Sequence, residues 1–298
     1  MIDYDEFGYF QENAEEVGLP WSGPPKVVRR AVAVGDGRQV SALVWGDGAP
    51  ELALIHGGAQ NAHTWDTVAL ALGRPMVAVD LPGHGHSSWR DDHAYHPRLM
   101  AQDVAAAMRE LAPEARVVCG MSLGGLTALC LAQQAPELVR RLVVVDVTPG
   151  TDHAKAEPII NFISGPERFG SFDEILGRTV EHNPTRTVSS LRRGVLHNAK
   201  ELPDGSWTWR WDPVRDRGDE RVGERAGDFS PLWEAVDAVS VPLLLVRGSL
   251  SGVVGDEDVV ELRRRQPEAR VVVVEGAGHS VQGDRPLELA RILAEELR

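Results

Sequence analysis

The sequence has almost no cysteine: Cys119 and Cys130 are the only two in 298 residues. That excludes a disulfide-framed scaffold. The pair flanks one turn, at the end of an apolar run and inside the helix-like stretch after it, so two core thiols in a reducing compartment are expected. No apolar run approaches the roughly 20 residues needed to cross a bilayer. The first 18 residues are acidic and lack the basic and apolar regions of a secretory signal, so a cytoplasmic protein is expected. Positive charge is also short, with 31 Lys+Arg against 44 Asp+Glu and a formal net charge of -13. A nucleic acid or an anionic membrane would be repelled, and a small-molecule substrate is the expected partner. There is no internal repeat, and nothing in the sequence sets the oligomeric state. His84 and His86 alternate with glycine on a loop without further ligands at zinc-like spacing, so no metal site is expected.

What is present is a repeating order of elements. Residues 1–25 form a polar, Pro- and Gly-punctuated extension without a clear assignment. Val27–Val34 and Gln39–Trp45, separated by Gly35-Asp36-Gly37, have the form of a β-hairpin. Short, almost uniformly apolar runs follow at Leu52–Ile55, Met76–Val79, Arg116–Cys119 and Leu142–Val145. They are too short for helices and too uniformly apolar for strands with one wet face, which points to a parallel sheet covered on both sides. Helical stretches at Pro97–Leu111 and Leu123–Gln134 alternate with them, and this predicts an α/β fold. The alternation stops near Gly150 and resumes with Val241–Val246, a helix near Asp256–Arg265, Val271–Glu275 and a last helix at Pro286–Leu297. The expected division is a core of 1–149 and 239–298 with an inserted, mainly helical cap over 150–238.

The chemistry concentrates at strand ends. Gly120-Met121-Ser122-Leu123-Gly124 is G-x-S-x-G between a strand and a helix, the context that gives this motif meaning as a nucleophile elbow. A serine there projects its hydroxyl above the sheet at a helix N-terminus, and the Leu123 amide points to where an oxyanion would form. His56-Gly57-Gly58-Ala59 follows an earlier strand. Its small residues let a second amide, from Gly58 or Ala59, approach a substrate. His56 is expected to anchor that loop and to border the substrate. His279, after Gly276-Ala277-Gly278 near the C-terminus, has the setting of a general base.

With HGGAQNAHTW at 56–65, DLPGHGHSS at 80–88, GMSLGG at 120–125 and GAGHS at 276–280, the chain resembles the α/β-hydrolase superfamily across its whole core. The resemblance implies a mostly parallel sheet with helices on both faces, a Ser-His-acid triad of Ser122 and His279 with a carboxylate, and no cofactor. The acid departs from the commonest pattern. Three residues beyond Gly248, where most relatives carry it, stands Ser251. Some branches place it after the preceding core strand, which here is Asp146. Asp256 and Asp258 compete, although with Glu257 they also read as first-turn acids of a helix. An aspartate nucleophile, as in epoxide hydrolases and haloalkane dehalogenases, is absent at position 122. Carboxylic ester hydrolysis of a small or medium, mainly apolar substrate is the leading expectation. C–C, lactone or thioester hydrolysis, perhydrolysis, and a ligand sensor without turnover remain as alternatives. Trp207, Trp209 and Trp211 alternate, so in an extended segment they share one face. They are either a substrate-pocket wall or the packing that pins the cap, with packing favoured.

Overall fold

The computed structural model describes residues 4–151, 153–213 and 228–298. Its strands are β1 (Val27–Gly35), β2 (Arg38–Trp45), β3 (Leu52–Ile55), β4 (Met76–Val79), β5 (Val117–Met121), β6 (Leu142–Val145), β7 (Arg168–Phe169), β8 (Ala199–Glu201), β9 (Trp207–Trp209), β10 (Leu243–Gly248) and β11 (Arg270–Val274). The helices are α1 (Phe10–Glu16), α2 (Asp66–Leu72), α3 (Pro97–Leu111), α4 (Leu123–Gln134), α5 (His153–Ile163), α6 (Phe172–Glu181), α7 (Val188–Asn198), α8 (Trp233–Asp237), α9 (Asp256–Arg265), α10 (Val281–Asp284) and α11 (Pro286–Glu296).

Eight strands form one sheet in the order β1-β2-β4-β3-β5-β6-β10-β11. β2 pairs antiparallel with both of its neighbours, and every pairing from β4 to β11 is parallel. The β1–β2 hairpin closes through Asp36 and Gly37, both at positive φ, as a two-residue turn matching strand twist requires. β3, β4, β5 and β6 are buried at every position, because helices cover both faces. One apolar cluster packs α3 and α4 against the sheet; a second packs α1, α2 and α11 against the opposite face. Cys119 and Cys130 are buried thiols, one in β5 and one in α4.

Two parts depart from the sequence expectation. The polar N-terminal extension contains α1, whose Phe10 is buried against Trp45 at 4.9 Å between ring centroids. The inserted segment carries, beside its helices, a three-stranded antiparallel sheet in the order β7-β9-β8. It also rejoins the core before residue 239, since Leu232, Ala235 and Val236 are already buried in the first cluster.

The three tryptophans belong to a separate apolar cluster in the insertion, with Phe169, Phe172 and Ile175. Trp209 stacks on Trp211 with centroids 4.1 Å apart, and Trp207 meets Phe172 edge-on. Trp211 is 1% exposed. Removing a side chain of that size from a sealed site leaves a cavity, so Trp211→Ala should lower the unfolding free energy by about 3–5 kcal/mol. Urea denaturation monitored by circular dichroism checks this, and a loss below about 1 kcal/mol would contradict a packing role.

Candidate functional site

Ser122 sits between β5 and α4 with φ 51 and ψ -123. An L-residue is strained there, and the surrounding glycines explain how the turn is held. A Cβ on Gly120 would lie 2.3 Å from the Gly124 carbonyl oxygen, and one on Gly124 would lie 2.3 Å from the His56 carbonyl oxygen. Only unsubstituted backbone lets strand, helix and the 56–59 loop come this close. The Ser122 amide donates to the Val145 carbonyl at 3.0 Å, tying the turn to the end of β6. Leu123 occupies the first position of α4, so its amide belongs to the helix N-terminus.

The 56–59 loop lies against this turn. A Cβ on Gly57 would be 3.2 Å from the Ser122 Cβ. Ala59 has φ 60, and its carbonyl accepts from Asn198 Nδ2 at 2.5 Å, which links the loop to the end of α7. His56 is fully buried. Burial holds its imidazole below the ordinary value, so the neutral ring donates from Nδ1 to the Gly57 carbonyl at 2.7 Å and accepts at Nε2 from the Leu81 amide at 2.9 Å. It is not among the residues that line the cavity, so it anchors the loop and does not border the substrate, contrary to part of the expectation.

Asp146 follows β6 with φ 52 and is completely buried. One carboxylate oxygen accepts from the Gly248 amide at 3.0 Å. The other accepts from Ser251 Oγ at 2.5 Å and faces His279 Nδ1 at 2.8 Å. The serine at the commonest acid position therefore donates to the carboxylate supplied by the neighbouring strand. Asp256 points outward, with its side chain 94% exposed and paired with Arg247. Asp258 is buried, but it accepts from the Gly255 amide and pairs with Lys155 at 2.7 Å. His279 thus meets Asp146 and neither competitor.

Ser122, His279, Gly57, Gly58 and Ala59 share a cavity of about 360 Å³. Of the tryptophans, Trp209 lines it; Trp207 and Trp211 do not. The apolar part of the wall includes Ile159, Phe162 and Val195 from the insertion. The polar part was not foreseen from sequence: Asn13, Arg186 and Arg193 come from α1, the loop before α7, and α7 itself.

Among the described residues one group approaches a metal-ligand set, His63, Asp66 and His197, with ligand atoms within 4.8 Å of one another. The two imidazoles stack face to face, centroids 3.8 Å apart and planes within 9°, so their lone pairs do not converge on one point. Three of their four ring nitrogens are also engaged: His63 Nδ1 with Asp66 at 2.8 Å, His63 Nε2 with Glu6 at 3.1 Å, and His197 Nδ1 with the Tyr4 hydroxyl at 2.9 Å, while the buried His197 Nε2 has no hydrogen-bond partner among the described residues. This is a hydrogen-bonded network, and it fixes charge unequally. Burial by itself would push His63 down, but Asp66 and Glu6 raise it to about 9. Burial and the neighbouring His63 charge push His197 well below its ordinary value.

An α/β fold that presents a serine on a strained strand-to-helix turn, beside a histidine–aspartate pair, defines the hydrolase class. The Alpha/beta hydrolase family model matches residues 52–292, and the chain belongs to that family. It is 48% identical to the esterase Rv0045c of Mycobacterium tuberculosis, over 98% of this chain and 96% of that one. A solved structure of that esterase superposes with a TM-score of 0.87, at 47% identity, over 99% of both chains. The pimeloyl-[acyl-carrier protein] methyl ester esterase of Aeromonas hydrophila is 28% identical over 85% of this chain and 97% of that protein.

Asp146→Asn should keep the fold but lower kcat by ~10³–10⁴, by analogy with serine proteases, where the equivalent change costs about 10⁴, while Asp256→Asn stays within a few-fold of the native rate. Initial-rate kinetics on both variants decide it, and a large loss in Asp256→Asn with none in Asp146→Asn would reverse the assignment. The His63 network sets a pH dependence of stability. The folded value, about 9, lies above the ordinary 6.5, so the contribution is complete below pH 6.5 and fades as pH rises through 9. The unfolding free energy should therefore fall between pH 6.5 and 9.5, and His63→Gln should flatten that fall. Equal slopes in both proteins would refute the linkage.

Proposed function

We propose that this chain is a serine hydrolase that cleaves a carboxylic ester of a small or medium substrate through an acyl-enzyme. The observation that carries the reading is the 2.8 Å contact between His279 Nδ1 and the buried Asp146 carboxylate, at the cavity that also holds Ser122 on its strained turn. The substrate carbonyl sits in the cavity against Ser122. As the Ser122 oxygen attacks, its proton passes to Nε2 of His279, and Asp146 stabilises the imidazolium through Nδ1. The new oxyanion accepts from the Leu123 amide and from an amide of the Gly58–Ala59 loop. Collapse breaks the ester bond, and His279 returns the proton to the departing alcohol. Water then repeats the sequence on the acyl-serine, releasing the acid and restoring Ser122.

Ester cleavage is favoured over C–C or thioester cleavage because the relatives at 48% and 28% identity are both named esterases. The part of the insertion that carries α5 to β9 acts as a cap in this reading, since Ile159, Phe162 and Trp209 roof the cavity from it. The two buried thiols support a reducing, cytoplasmic setting. No helix among the described residues is long and apolar enough to cross a membrane.

The test is direct. A fluorophosphonate probe should label the protein once, and Ser122→Ala should abolish both labelling and hydrolysis of p-nitrophenyl esters. Labelling that persists in Ser122→Ala would sink the assignment.

A further inference from the structure

The cavity is not uniformly apolar. Arg186, in the loop between α6 and α7, lines it together with Ser122 and His279. The side chain is half-buried, with a face against the backbone of Gly283. A Cβ on Gly283 would lie 3.0–3.1 Å from Cζ, Nε and Nη1 of Arg186, nearly equidistant, so the guanidinium stacks over the space that glycine leaves open. Gly283 belongs to α10, which starts two residues after His279, so the cation rests on an element that continues from the reacting histidine and faces the same cavity.

What the guanidinium lacks among the described residues is a paired anion. A guanidinium has five N–H donors. Nη2 donates to Ser190 Oγ at 2.5 Å, and the buried Nε has no hydrogen-bond partner among the described residues. The acids nearest in charge are Asp284 and Glu16, and each is engaged elsewhere. Asp284 accepts from Thr185 Oγ1 at 2.9 Å and from the Gly278 amide at 2.8 Å. Glu16 accepts from Thr187 Oγ1 and pairs with Arg193. Arg193, the second cation at the wall, also bonds Asn13 Oδ1 at 2.7 Å, so it is compensated where Arg186 is not. Burial pushes Arg186 below its ordinary value, in keeping with a charge that has lost water and not yet gained a partner.

We infer that Arg186 is a specificity residue that binds a carboxylate at the far end of the substrate's acyl or alcohol chain, so that the preferred substrate is a monoester bearing one negative charge. The inference rests on the hydrolase reading above and names its substrate class. One charge, and not the two of a phosphate monoester, fits a single uncompensated guanidinium with Asp284 and Glu16 close behind it. The apolar wall of Ile159, Phe162 and Trp209 suits the methylenes between ester and carboxylate. The field of the whole chain works the other way. At a formal charge of -13 it repels anions, so any preference for an anionic ester has to arise locally.

The experiment compares monoethyl esters of straight-chain dicarboxylic acids, two to six methylenes long, with ethyl esters of the same length ending in methyl. The readout is the ratio of kcat/KM for the charged over the neutral ester, which is insensitive to partial loss of folded enzyme. In the native protein the ratio should exceed one at a favoured length. It should drop by about tenfold or more in Arg186→Gln, and Arg186→Lys should keep a good part of it. A ratio below one at every length, or one unchanged in Arg186→Gln, overturns the inference and leaves the esterase standing. If no ester is turned over, the hydrolase reading fails instead, and calorimetric binding of the same monoethyl esters to Ser122→Ala decides the subsite. Saturable binding lost on adding Arg186→Gln supports it, and no binding overturns it.

Discussion

A buried carboxylate organises this structure. Asp146 is wholly enclosed, and an enclosed charge is tolerable only when its oxygens are met by donors. Three donors meet it, from two stretches of chain: the Gly248 amide and the Ser251 hydroxyl at the end of β10, and the His279 ring after β11. The parallel order β6-β10-β11 makes this possible, since it brings the C-terminal ends of all three strands to one edge. The Asp146 amide donates to the Val246 carbonyl at 2.7 Å, so the residue that carries the charge is also stitched to the strand that supplies two of its donors. A change at Asp146, Gly248 or Ser251 therefore reaches the histidine even though only one of the three touches it.

Close backbone approach is the second constraint. Gly124 abuts the carbonyls of Ile55 and His56, and Gly248 abuts the carbonyl of Gly278. The first contact fixes the loop at 56–59 against the Ser122 turn; the second fixes the turn before His279 against the end of β10. Both are steric, insensitive to pH or salt, and they set positions that hydrogen bonds then refine. Strain at Ser122 and Asp146 persists because packing on both sides leaves no relaxed alternative.

The core was legible because its physics is local. Leu52–Ile55, Met76–Val79 and Leu142–Val145 are apolar at every position, and a sheet covered on both faces demands that pattern. The Ser122 turn was legible from glycine spacing, and Asp146 from the serine that occupies the alternative position. The insertion was not. β7, β8 and β9 are two or three residues long, too short to show a period of two, and only the Trp207–Trp211 alternation signalled an extended run. The polar wall of the cavity depends on contacts such as Arg193 with Asn13, across nearly the whole chain, and these leave no trace in local pattern. Arg186 looks from sequence like any loop arginine. What singles it out is a missing partner, and only the assembled structure shows that.

The N-terminal extension then acquires a reason. α1 packs Phe10 into the core while Asn13 and Glu16 bond Arg193 of α7, so one short helix grips both the core and the insertion. Glu6 extends the grip by pairing with Arg29 of β1 and with His63. A cavity that lies between the two parts keeps its shape only if their separation is held, and hydrophobic contact alone, being non-directional, would hold it loosely. Directional ion pairs from α1 supply the missing constraint. They also neutralise Arg193, leaving Arg186 as the charge at the cavity wall that a ligand is left to satisfy.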